Sequence, residues 1–455
     1  MASTSPGPIT GIDLGTTFSS IAFLNSFGRA EVIPTPSGER SLPSVVLFPP
    51  GEEPLVGLEA KVRATEHPER VVEFVKREMG DPDWSFAVDG RELRPQTISS
   101  LILRRLVGLA EDALGERPRS AVITCPAYFG DLERAATADA GRLAGLEVLS
   151  VFNEPTAAAL AYGLHHAARS ETVRALVYDL GGGTFDVTVL ELAGRRVRVL
   201  ATAGEHRLGG KDWDDELLNY VAEEFEAEFG RDPRDDPTAQ QDLRNRVEGA
   251  KIVLSRKQRA TVFCRAFGET LKLEVPRALF EELTRGLLLQ TKTYVDTVLE
   301  EARTRWDDID VVLPVGGSSH MPQVTALLGE LSGRPPERVV DPDLAVAQGA
   351  AYYAALLRAE QGFEIRVFST RQPTGRLPKR APAEELPLLP GATPPPSLEE
   401  APELLLLPGE VAPPEAVFAV PLLPGQLADA ARPAPRPAPR PAPRPAPRPA
   451  PRPAP

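Results

Sequence analysis

Two short segments of this chain share one pattern of residues, and this pattern limits the possible folds more than any other feature. Ile12-Asp13-Leu14-Gly15-Thr16-Thr17 lies near the start, and Tyr178-Asp179-Leu180-Gly181-Gly182-Gly183-Thr184 lies near the middle. Each stands between two apolar runs, which predicts a strand, a tight turn and a second strand. An acid ends the first strand, hydroxyls follow the turn, and glycines allow backbone N–H groups to approach an oxyanion. The repeat therefore predicts two related lobes that bind one phosphorylated ligand.

The length and charge of the chain limit its class. At 455 residues it exceeds one ordinary hydrophobic core, so we expect two or more globular units. The net charge is −13, although residues 431–455 contain six arginines and no acid, so the remainder is strongly acidic. An acidic body argues against a globular domain that binds nucleic acid.

Cysteine and histidine usage predicts neither a disulfide framework nor a metal cluster. The two cysteines, Cys125 and Cys264, have no neighbour at metal-ligand spacing, so we expect free, mostly buried thiols in a reducing compartment. The five histidines are scattered. The first residues lack the pattern of a signal peptide, and no apolar stretch approaches membrane-spanning length. A cytoplasmic protein without membrane contact is the simplest interpretation.

Apolar periodicity predicts strands followed by helices in each half of the chain. For the first half we expect a hairpin over 11–24, strands over 44–48 and 121–124, a helix ending near Gly115, and helices over 131–145 and 155–162. For the second half we expect strands over 175–178, 185–192, 196–200 and 309–313, with helical faces over 217–225 and 283–298. This order predicts two mixed sheets flanked by helices, with the ligand in the cleft between them.

The composition changes near residue 370. Of the 48 prolines, 26 lie between Gln372 and Pro455, and the chain ends in an Arg-Pro-Ala-Pro repeat. Such a segment buries too little apolar surface to offset its ordering entropy, so we expect it to be extended and disordered. Its three apolar islands are either linker residues or short docking motifs: 386–391, 403–409 and 421–425. The repeat is a spacer, a ligand for domains that bind extended proline segments, or a basic segment that binds acidic surfaces or, weakly, nucleic acid.

The paired loops predict binding of nucleotide phosphates together with a metal ion. Phosphoryl transfer depends on positioning and charge neutralisation more than on covalent help. Asp13 and Asp179 would face each other and hold a hydrated Mg²⁺ ion. The β- and γ-phosphates would lie among Gly15, Thr16, Thr17, Gly181, Gly182, Gly183 and Thr184. A third turn, Gly316-Gly317-Ser318, follows a strand and strengthens the pattern, because one such loop alone is also typical of an ordinary hairpin.

Four segments together resemble the ATPase domain of the heat shock protein 70 (DnaK-type) chaperones: Gly11–Thr17, Asn153–Gly163, Asp179–Asp186 and Val315–Ser318. The resemblance runs from about residue 9 to residue 357. It implies an actin-like ATPase fold of α/β class, in which two RNase-H-like lobes close on a nucleotide. The implied division is lobe I over 9–171, lobe II over 172–340, a C-terminal helix over 341–360 that closes the body, and a disordered tail over 371–455.

The resemblance also implies roles for single residues. Lys76 would orient the attacking water and offset the charge of the γ-phosphate, and Glu154 would sense Mg²⁺ and water. The implied catalytic set is Lys76, Glu154, Asp179, Asp13 and Thr184, with Asp13, Asp179 and Glu154 binding the metal mainly through water. The implied ATP/ADP contacts are the loop residues above together with Glu248, Lys251, Ser255, Gly316, Gly317, Ser318 and Asp343. Asp186 would be a second acid, and Pro126 and Arg142 would relay nucleotide state between the lobes. Taken alone, these residue types are also typical of solvated charges, turns and helix starts.

The nucleoside side departs from the family pattern. Ile252 stands where the family usually has an arginine against adenine, and His320 replaces a second such arginine. Each lost guanidinium contact is worth ~1 kcal/mol. We therefore expect weaker adenine binding, or looser base selectivity, than in related proteins.

No alternating strand pattern follows residue 370, so we expect no counterpart of the family's peptide-binding domain and lid. Glu403–Leu407 resembles the family's leucine-rich interdomain linker, and we expect it or another island to dock on the second lobe. The favoured function is a slow, chaperone-like ATPase of the stress response that signals its nucleotide state to a protein partner or cochaperone. The alternatives are a non-catalytic, ATP-gated scaffold that presents proline-rich motifs and a kinase for a sugar or small molecule. The sequence identifies neither the partner nor the oligomeric state.

Overall fold

The computed structural model describes residues 7–165, 172–193, 196–337, 341–360 and 417–419. Apart from 417–419, the tail that was predicted to be disordered lies outside this set, as do its three apolar islands.

The first half of the chain is organised around one sheet. The strands of this half are β1 (Ile9–Asp13), β2 (Phe18–Leu24), β3 (Ala30–Val32), β4 (Leu42–Pro43), β5 (Val46–Leu47), β6 (Leu55–Val56), β7 (Val71–Val72), β8 (Phe86–Val88), β9 (Arg91–Leu93), β10 (Ser120–Cys125) and β11 (Glu147–Asn153). Its helices are α1 (Leu58–Arg63), α2 (Pro95–Leu114), α3 (Asp131–Leu143) and α4 (Glu154–His165), with 3₁₀ turns at Pro68–Arg70 and Val75–Glu78. The helix predicted to end near Gly115 is α2, which has Gly115 in the left-handed conformation at its C-terminus.

The second half is organised around another sheet. The strands of this half are β12 (Thr172–Leu180), β13 (Phe185–Ala193), β14 (Arg196–Glu205), β15 (Arg259–Ala266), β16 (Glu269–Pro276), β17 (Val311–Val315) and β18 (Val417–Ala419). Its helices are α5 (Gly210–Phe229), α6 (Pro237–Leu254), α7 (Arg277–Leu283), α8 (Arg285–Glu301), α9 (Pro322–Ser332) and α10 (Ala345–Glu360), with 3₁₀ turns at Pro233–Asp235, Trp306–Asp308 and Gly317–His320. The helical face predicted over 283–298 is divided between α7 and α8.

The two main sheets share an arrangement of four strands, β10-β1-β2-β3 in the first and β17-β12-β13-β14 in the second. The first has the order β11-β10-β1-β2-β3, and the second has the order β17-β12-β13-β14-β18. Strand β1 is parallel to β10 and antiparallel to β2, while β12 is parallel to β17 and antiparallel to β13. The hairpins β1–β2 and β12–β13 therefore occupy equivalent places, and the prediction of two mixed sheets is confirmed.

Two alanine-rich helices, α4 and α10, pack between the sheets. Their buried faces belong to an apolar cluster that includes Val122 of the first sheet and Val177 of the second. A methyl group on Gly349 of α10 would lie 1.8 Å from the carbonyl oxygen of Ala157 in α4. Because a packed interior tolerates little added volume, glycine is what allows these two backbones to touch.

Strand β18 comes from the proline-rich region. It pairs antiparallel with residues 196–198 at the start of β14. The structure differs here from the sequence analysis, which expected no strand after residue 370. The apolar run 416–420 contains Val and Phe, which favour extended backbone, and a free sheet edge offers unpaired main-chain groups to such a segment.

Within the described part of the chain, no helix combines the length and the apolar character that crossing a membrane requires. Both cysteines are free and buried, as the sequence analysis expected.

Candidate active site

The turns of the two equivalent hairpins face one cavity of about 520 Å³ between the lobes. Pockets for small ligands typically have volumes in this range. The predicted site residues that line it are Asp13, Gly15, Thr16, Thr17, Lys76, Glu154, Asp179, Gly181, Gly182, Thr184, Glu248, Lys251, Ser255, Gly316, Gly317, Ser318 and Asp343. Gly183 lies behind this surface rather than on it. Residues from both halves of the sequence thus meet around a single space.

The first glycine loop (residues 13–17) and the second glycine loop (residues 181–184) contact each other. A side chain on Gly182 would lie 1.8 Å from Oγ1 of Thr17, and one on Gly183 would lie 2.2 Å from Cγ2 of Thr16. Any Cβ at these two positions would force the loops apart. The glycines therefore have a packing role between the lobes, besides the predicted contact with phosphate.

Two serines hold the first glycine loop in place. The N–H of Gly15 donates to Oγ of Ser19 at 3.1 Å, and the hydroxyl of Ser44 donates to the carbonyl oxygen of Gly15 at 2.8 Å. The two serine hydroxyls lie 2.8 Å apart. Both polar groups of the Gly15 backbone are thus fixed by side chains of the first lobe.

All three glycine carbonyls of the second glycine loop accept hydrogen bonds from outside it. The donors are the N–H of Gly210 to Gly181 at 3.0 Å, the N–H of Lys211 to Gly182 at 2.7 Å, and Nε of Arg77 to Gly183 at 2.8 Å. A planar trans peptide holds its C=O and N–H on opposite sides. The next three N–H groups in the loop therefore point away from these donors, which is the arrangement that an oxyanion-binding loop needs.

A buried ion pair joins the predicted catalytic lysine to the predicted magnesium-sensing acid. Nζ of Lys76, in the 3₁₀ turn Val75–Glu78, lies 2.6 Å from Oε1 of Glu154 at the start of α4. The two residues are 4% and 6% exposed. Burial disfavours the charged lysine, but the negative charges of Glu154 and Asp13 outweigh it and raise its pKa. The side chain therefore remains an ammonium group.

Two aspartates, Asp13 and Asp179, line the cavity, and a third, Asp186, is buried close to Asp179. Burial raises the pKa of Asp13 to about 7, and the charge of Glu154 adds to the effect. Burial likewise raises the pKa of Asp179 well above its ordinary value, as do the charges of Glu154, Asp186 and Asp13. The pKa of Asp186 is raised well above its usual range by burial and by Glu154, although the N–H of Ala127 donates to its Oδ2 at 3.3 Å.

Lys76 is the cation that lowers the pKa of all three aspartates. One ammonium group facing four carboxylates leaves an excess of negative charge when these acids are ionised. A divalent cation with oxygen ligands is the ordinary way in which proteins balance such a set.

Ion pairs cross the mouth of the cleft to α6. Asp236 caps the N-terminus of this helix, because its side chain accepts from the N–H groups of Thr238 and Ala239 at 2.9 and 3.2 Å. Lys61 of α1 forms an ion pair with Glu248 of α6. Glu248 is therefore engaged with the opposite lobe.

The other residues predicted to contact adenosine also have partners within the protein. Nζ of Lys251 lies 2.6 Å from Oδ2 of Asp214 and donates to the carbonyl of Gly210 at 2.8 Å. The Ser255 hydroxyl donates to its own helix backbone at 3.2 Å. Contact of these side chains with a nucleoside stays a prediction.

Ile252 and His320, the two departures from the family pattern, both line the cavity. Ile252 is 51% exposed on α6. Nε2 of His320 lies 3.3 Å from Oδ2 of Asp343. The ligand atoms of His320, Asp341 and Asp343 lie within 4.8 Å of one another, a grouping that the spacing of the histidines did not predict.

The two residues predicted to relay nucleotide state lie in different environments. The loop after Pro126 reaches the second lobe, because the ring of Tyr128 packs 4.3 Å from that of His206, centroid to centroid. Arg142 instead forms an exposed ion pair with Asp139 on α3 at 2.5 Å. The structure brings the Pro126 loop to the interface and leaves Arg142 on the surface.

The sequence of this chain matches one protein family over most of its length. The family model described as Hsp70 protein matches residues 9–86 and 81–369. Chaperone protein DnaK of Thermotoga petrophila and that of Thermotoga maritima are each 47% identical to this chain over 365 residues, which cover 79% of this chain and 61% of each relative. This chain belongs to the Hsp70 family. Its body therefore has the actin-like ATPase fold, with two lobes around a cleft.

A third relative, Chaperone protein DnaK of Thermosipho africanus, is 45% identical over 360 residues, or 78% of this chain and 60% of the relative. This Hsp70 chain thus spans about three fifths of the length of the curated relatives that it matches.

Several residues at this Hsp70 cleft escaped the sequence analysis. Arg77, Asp212 and Lys61 form ion pairs between segments far apart in sequence, so no local pattern marks them. Asp214 and Arg256 also line the cavity. Arg256 had a positional signal, because it directly follows the selected Ser255, whereas no selected site residue lies within one helical turn of Asp214.

Asp13 should make the stability of this Hsp70 chain depend on pH. Its pKa is about 7 when folded, against the ordinary 3.8, so the folded state binds the proton more tightly than the unfolded chain. The free energy of unfolding should therefore fall as pH rises from about 4 to about 7 and stay low above that. The Asp13→Asn variant should be more stable than wild type at pH 8, by at most ~4 kcal/mol, and should lose that advantage at pH 4.

Urea unfolding of the metal-free protein between pH 4 and pH 8 measures this effect. Asp139→Asn, on the exposed face of α3, is the control and should keep the wild-type pH dependence. A difference between wild type and Asp13→Asn that stays constant across the range would contradict the assignment.

Restoring an arginine at the base side should strengthen adenine binding. Ile252→Arg should lower the Kd for ATP about fivefold, because a guanidinium group stacked on an aromatic ring is worth ~1 kcal/mol. Calorimetry with ATP and GTP gives both affinity and selectivity. Leu289→Arg, at an exposed apolar residue of α8, is the matched control. Tight and strictly adenine-selective binding by the wild type would show that Ile252 and His320 substitute adequately.

Proposed function

We propose that this chain binds Mg-ATP between its lobes and hydrolyses it slowly to ADP and phosphate. The observation that carries the proposal is the meeting of Asp13, Asp179, Lys76 and Glu154 around one cavity, with both glycine loops beside them. Membership of the Hsp70 family supports the same activity.

Different residues of this chain have different roles in the reaction. The two glycine loops, including Thr184 of the second, hold the β- and γ-phosphates. The ammonium group of Lys76, oriented by its ion pair with Glu154, offsets charge that develops on the γ-phosphate and aligns the water that attacks phosphorus. Such positioning supplies most of the rate enhancement in phosphoryl transfer.

The donor set fits a hydrated Mg²⁺ ion. Asp13, Asp179 and Glu154 would supply carboxylate oxygens. Burial raises the pKa of the two aspartates, repulsion from neighbouring acids raises it further, and a divalent cation would relieve that repulsion. When bound, Mg²⁺ neutralises charge on the β- and γ-phosphates.

Single-turnover hydrolysis with Lys76→Ala tests the proposal. The variant should hydrolyse ATP at least ~100-fold more slowly than wild type, while ATP affinity by calorimetry changes less than ~5-fold. Lys292→Ala removes an exposed lysine of α8 and is the control. If wild type and Lys76→Ala bind ATP but are equally inert, the chain is an ATP-gated scaffold. Transfer of phosphate to an added sugar would favour a kinase.

We also propose that the nucleotide state is signalled to a protein partner or cochaperone through the proline-rich tail. Support comes from one contact: β18 pairs with β14, and β14 leads into the turn 209–212, whose N–H groups hold the second glycine loop. A change at that loop can thus reach the strand that the tail contacts.

Deleting residues 372–455 should change ATP turnover by at least ~2-fold, because it removes β18 from the edge of the second sheet. Deleting only residues 426–455 removes the whole arginine repeat, keeps β18, and is the matched control. Steady-state turnover of the full chain and of both truncated chains, with melting temperatures to confirm folding, measures the effect. Equal turnover in all three chains would exclude communication between the tail and the site.

A further inference from the structure

We infer that Arg77 is a positioning residue that couples closure of the lobes to the alignment of the second glycine loop. The inference rests on the proposed hydrolysis of ATP and adds a residue to which no role has been given.

The Arg77 side chain reaches from the first lobe to two points on the second. Its Nε donates to the carbonyl of Gly183 at 2.8 Å, and its Nη1 and Nη2 lie 3.2 and 2.5 Å from the two carboxylate oxygens of Asp212. The side chains of Arg77 and Asp212 are 7% and 19% exposed. A bidentate arginine–carboxylate pair of this kind fixes the relative orientation of the two groups and also balances their charges.

Asp212 extends this hold to the neighbouring turn. Its Oδ2 also accepts from the N–H of Gly209 at 2.7 Å, so the carboxylate closes the turn 209–212 at the start of α5. The same turn donates to the carbonyls of Gly181 and Gly182. Arg77 therefore holds the second glycine loop directly at Gly183 and indirectly, through Asp212, at the other two glycines.

The contact at Gly183 orients the amide of Thr184. Because C=O and N–H of one peptide point in opposite directions, the hydrogen bond from Arg77 to the Gly183 carbonyl turns the N–H of Thr184 away from Arg77. Thr184 lines the cavity and is predicted to face the phosphates. Loss of the guanidinium group frees that peptide to rotate.

Arg77 directly follows Lys76, and the two side chains point to different lobes. Phe74 precedes them with a φ of 58°, a left-handed conformation that a bulky residue rarely adopts, and leads into the 3₁₀ turn. From this turn Lys76 pairs with Glu154 while Arg77 pairs with Asp212. Closing the Arg77–Asp212 pair thus sets the position of the lysine relative to the second glycine loop, and opening the lobes must break it.

The first lobe contains a matched pair that lacks this connection. Nε of Arg70 donates to the carbonyl of Phe48, and its Nη2 lies 2.7 and 2.6 Å from the carboxylate oxygens of Asp89. The contacts resemble those of Arg77, but all of the partners belong to the first lobe. A substitution of Arg70 therefore measures how loss of such an arginine affects folding, without breaking a contact between the lobes.

The experiment combines single-turnover hydrolysis with ATP calorimetry on the full chain. Arg77→Lys should slow hydrolysis ~10-fold and Arg77→Ala ~100-fold, with the Kd for ATP changed less than ~3-fold, because the loss is in alignment rather than in binding. Asp212→Ala should have a similar effect, and the double variant should be no slower than Arg77→Ala. Arg70→Lys should hydrolyse within ~2-fold of wild type.

Several other outcomes would contradict the inference. Hydrolysis by Arg77→Lys within ~2-fold of wild type, an equal loss in Arg70→Lys, or a loss of ATP affinity that matches the loss of rate would overturn the inference. So would independent, additive effects of Arg77→Ala and Asp212→Ala. If Arg77→Ala does not fold, Arg77→Lys decides. An inert wild type overturns the proposed function and this inference together, whereas an active wild type with unaffected Arg77 variants overturns this inference alone.

Discussion

Repulsion between acids of the two lobes is the constraint on which the cleft depends. Asp13 and Asp179 come from equivalent hairpins; burial raises the pKa of both, and the charge of Asp13 is one of the charges that raise the pKa of Asp179 further. Such a cluster would force the lobes apart unless other contacts held them together. Apolar packing of α4 and α10, the Lys76–Glu154 pair and the ion pairs across the mouth supply those contacts. The architecture therefore keeps a concentration of negative charge available for a cation and a polyphosphate.

Side chains that form ion pairs around the cleft also line the cavity. Glu248 pairs with Lys61 of the opposite lobe, and Lys251 pairs with Asp214 beside the turn 209–212. Each of these residues also lines the cavity. A ligand that competes for Glu248 therefore weakens a contact that holds the cleft shut, so binding at this side chain and the separation of the lobes are physically linked.

The parts of the structure that the sequence predicted are those with a local signal. The two glycine hairpins, α2 and the strand pairs of both sheets follow from apolar periodicity, glycine and proline. The hairpin β15–β16 carried a signal that went unused, because Ala260, Val262, Cys264 and Ala266 alternate along β15. The break between α7 and α8 was not visible, since Leu283 and Leu287 keep the same helical phase across it.

Contacts between distant segments were beyond the sequence. Arg77 and Asp212 are joined only by the tertiary fold, and nothing around either residue indicates the other. The partners of Lys251 and Glu248 were hidden for the same reason, although both residues were selected for the site. Residue type and spacing located the cavity, while the network that fixes its walls required three-dimensional coordinates.

The contact between Gly349 and Ala157 limits how the two halves of the body can move. With no side chain between the backbones of α4 and α10 at this point, sliding one helix along the other requires lifting them apart. A change in their crossing angle requires no such separation. Relative motion about this point is therefore angular, and the resulting displacement grows with distance from it. A small tilt at two alanine-rich helices thus becomes a larger shift at the ends of the strands that carry the acids.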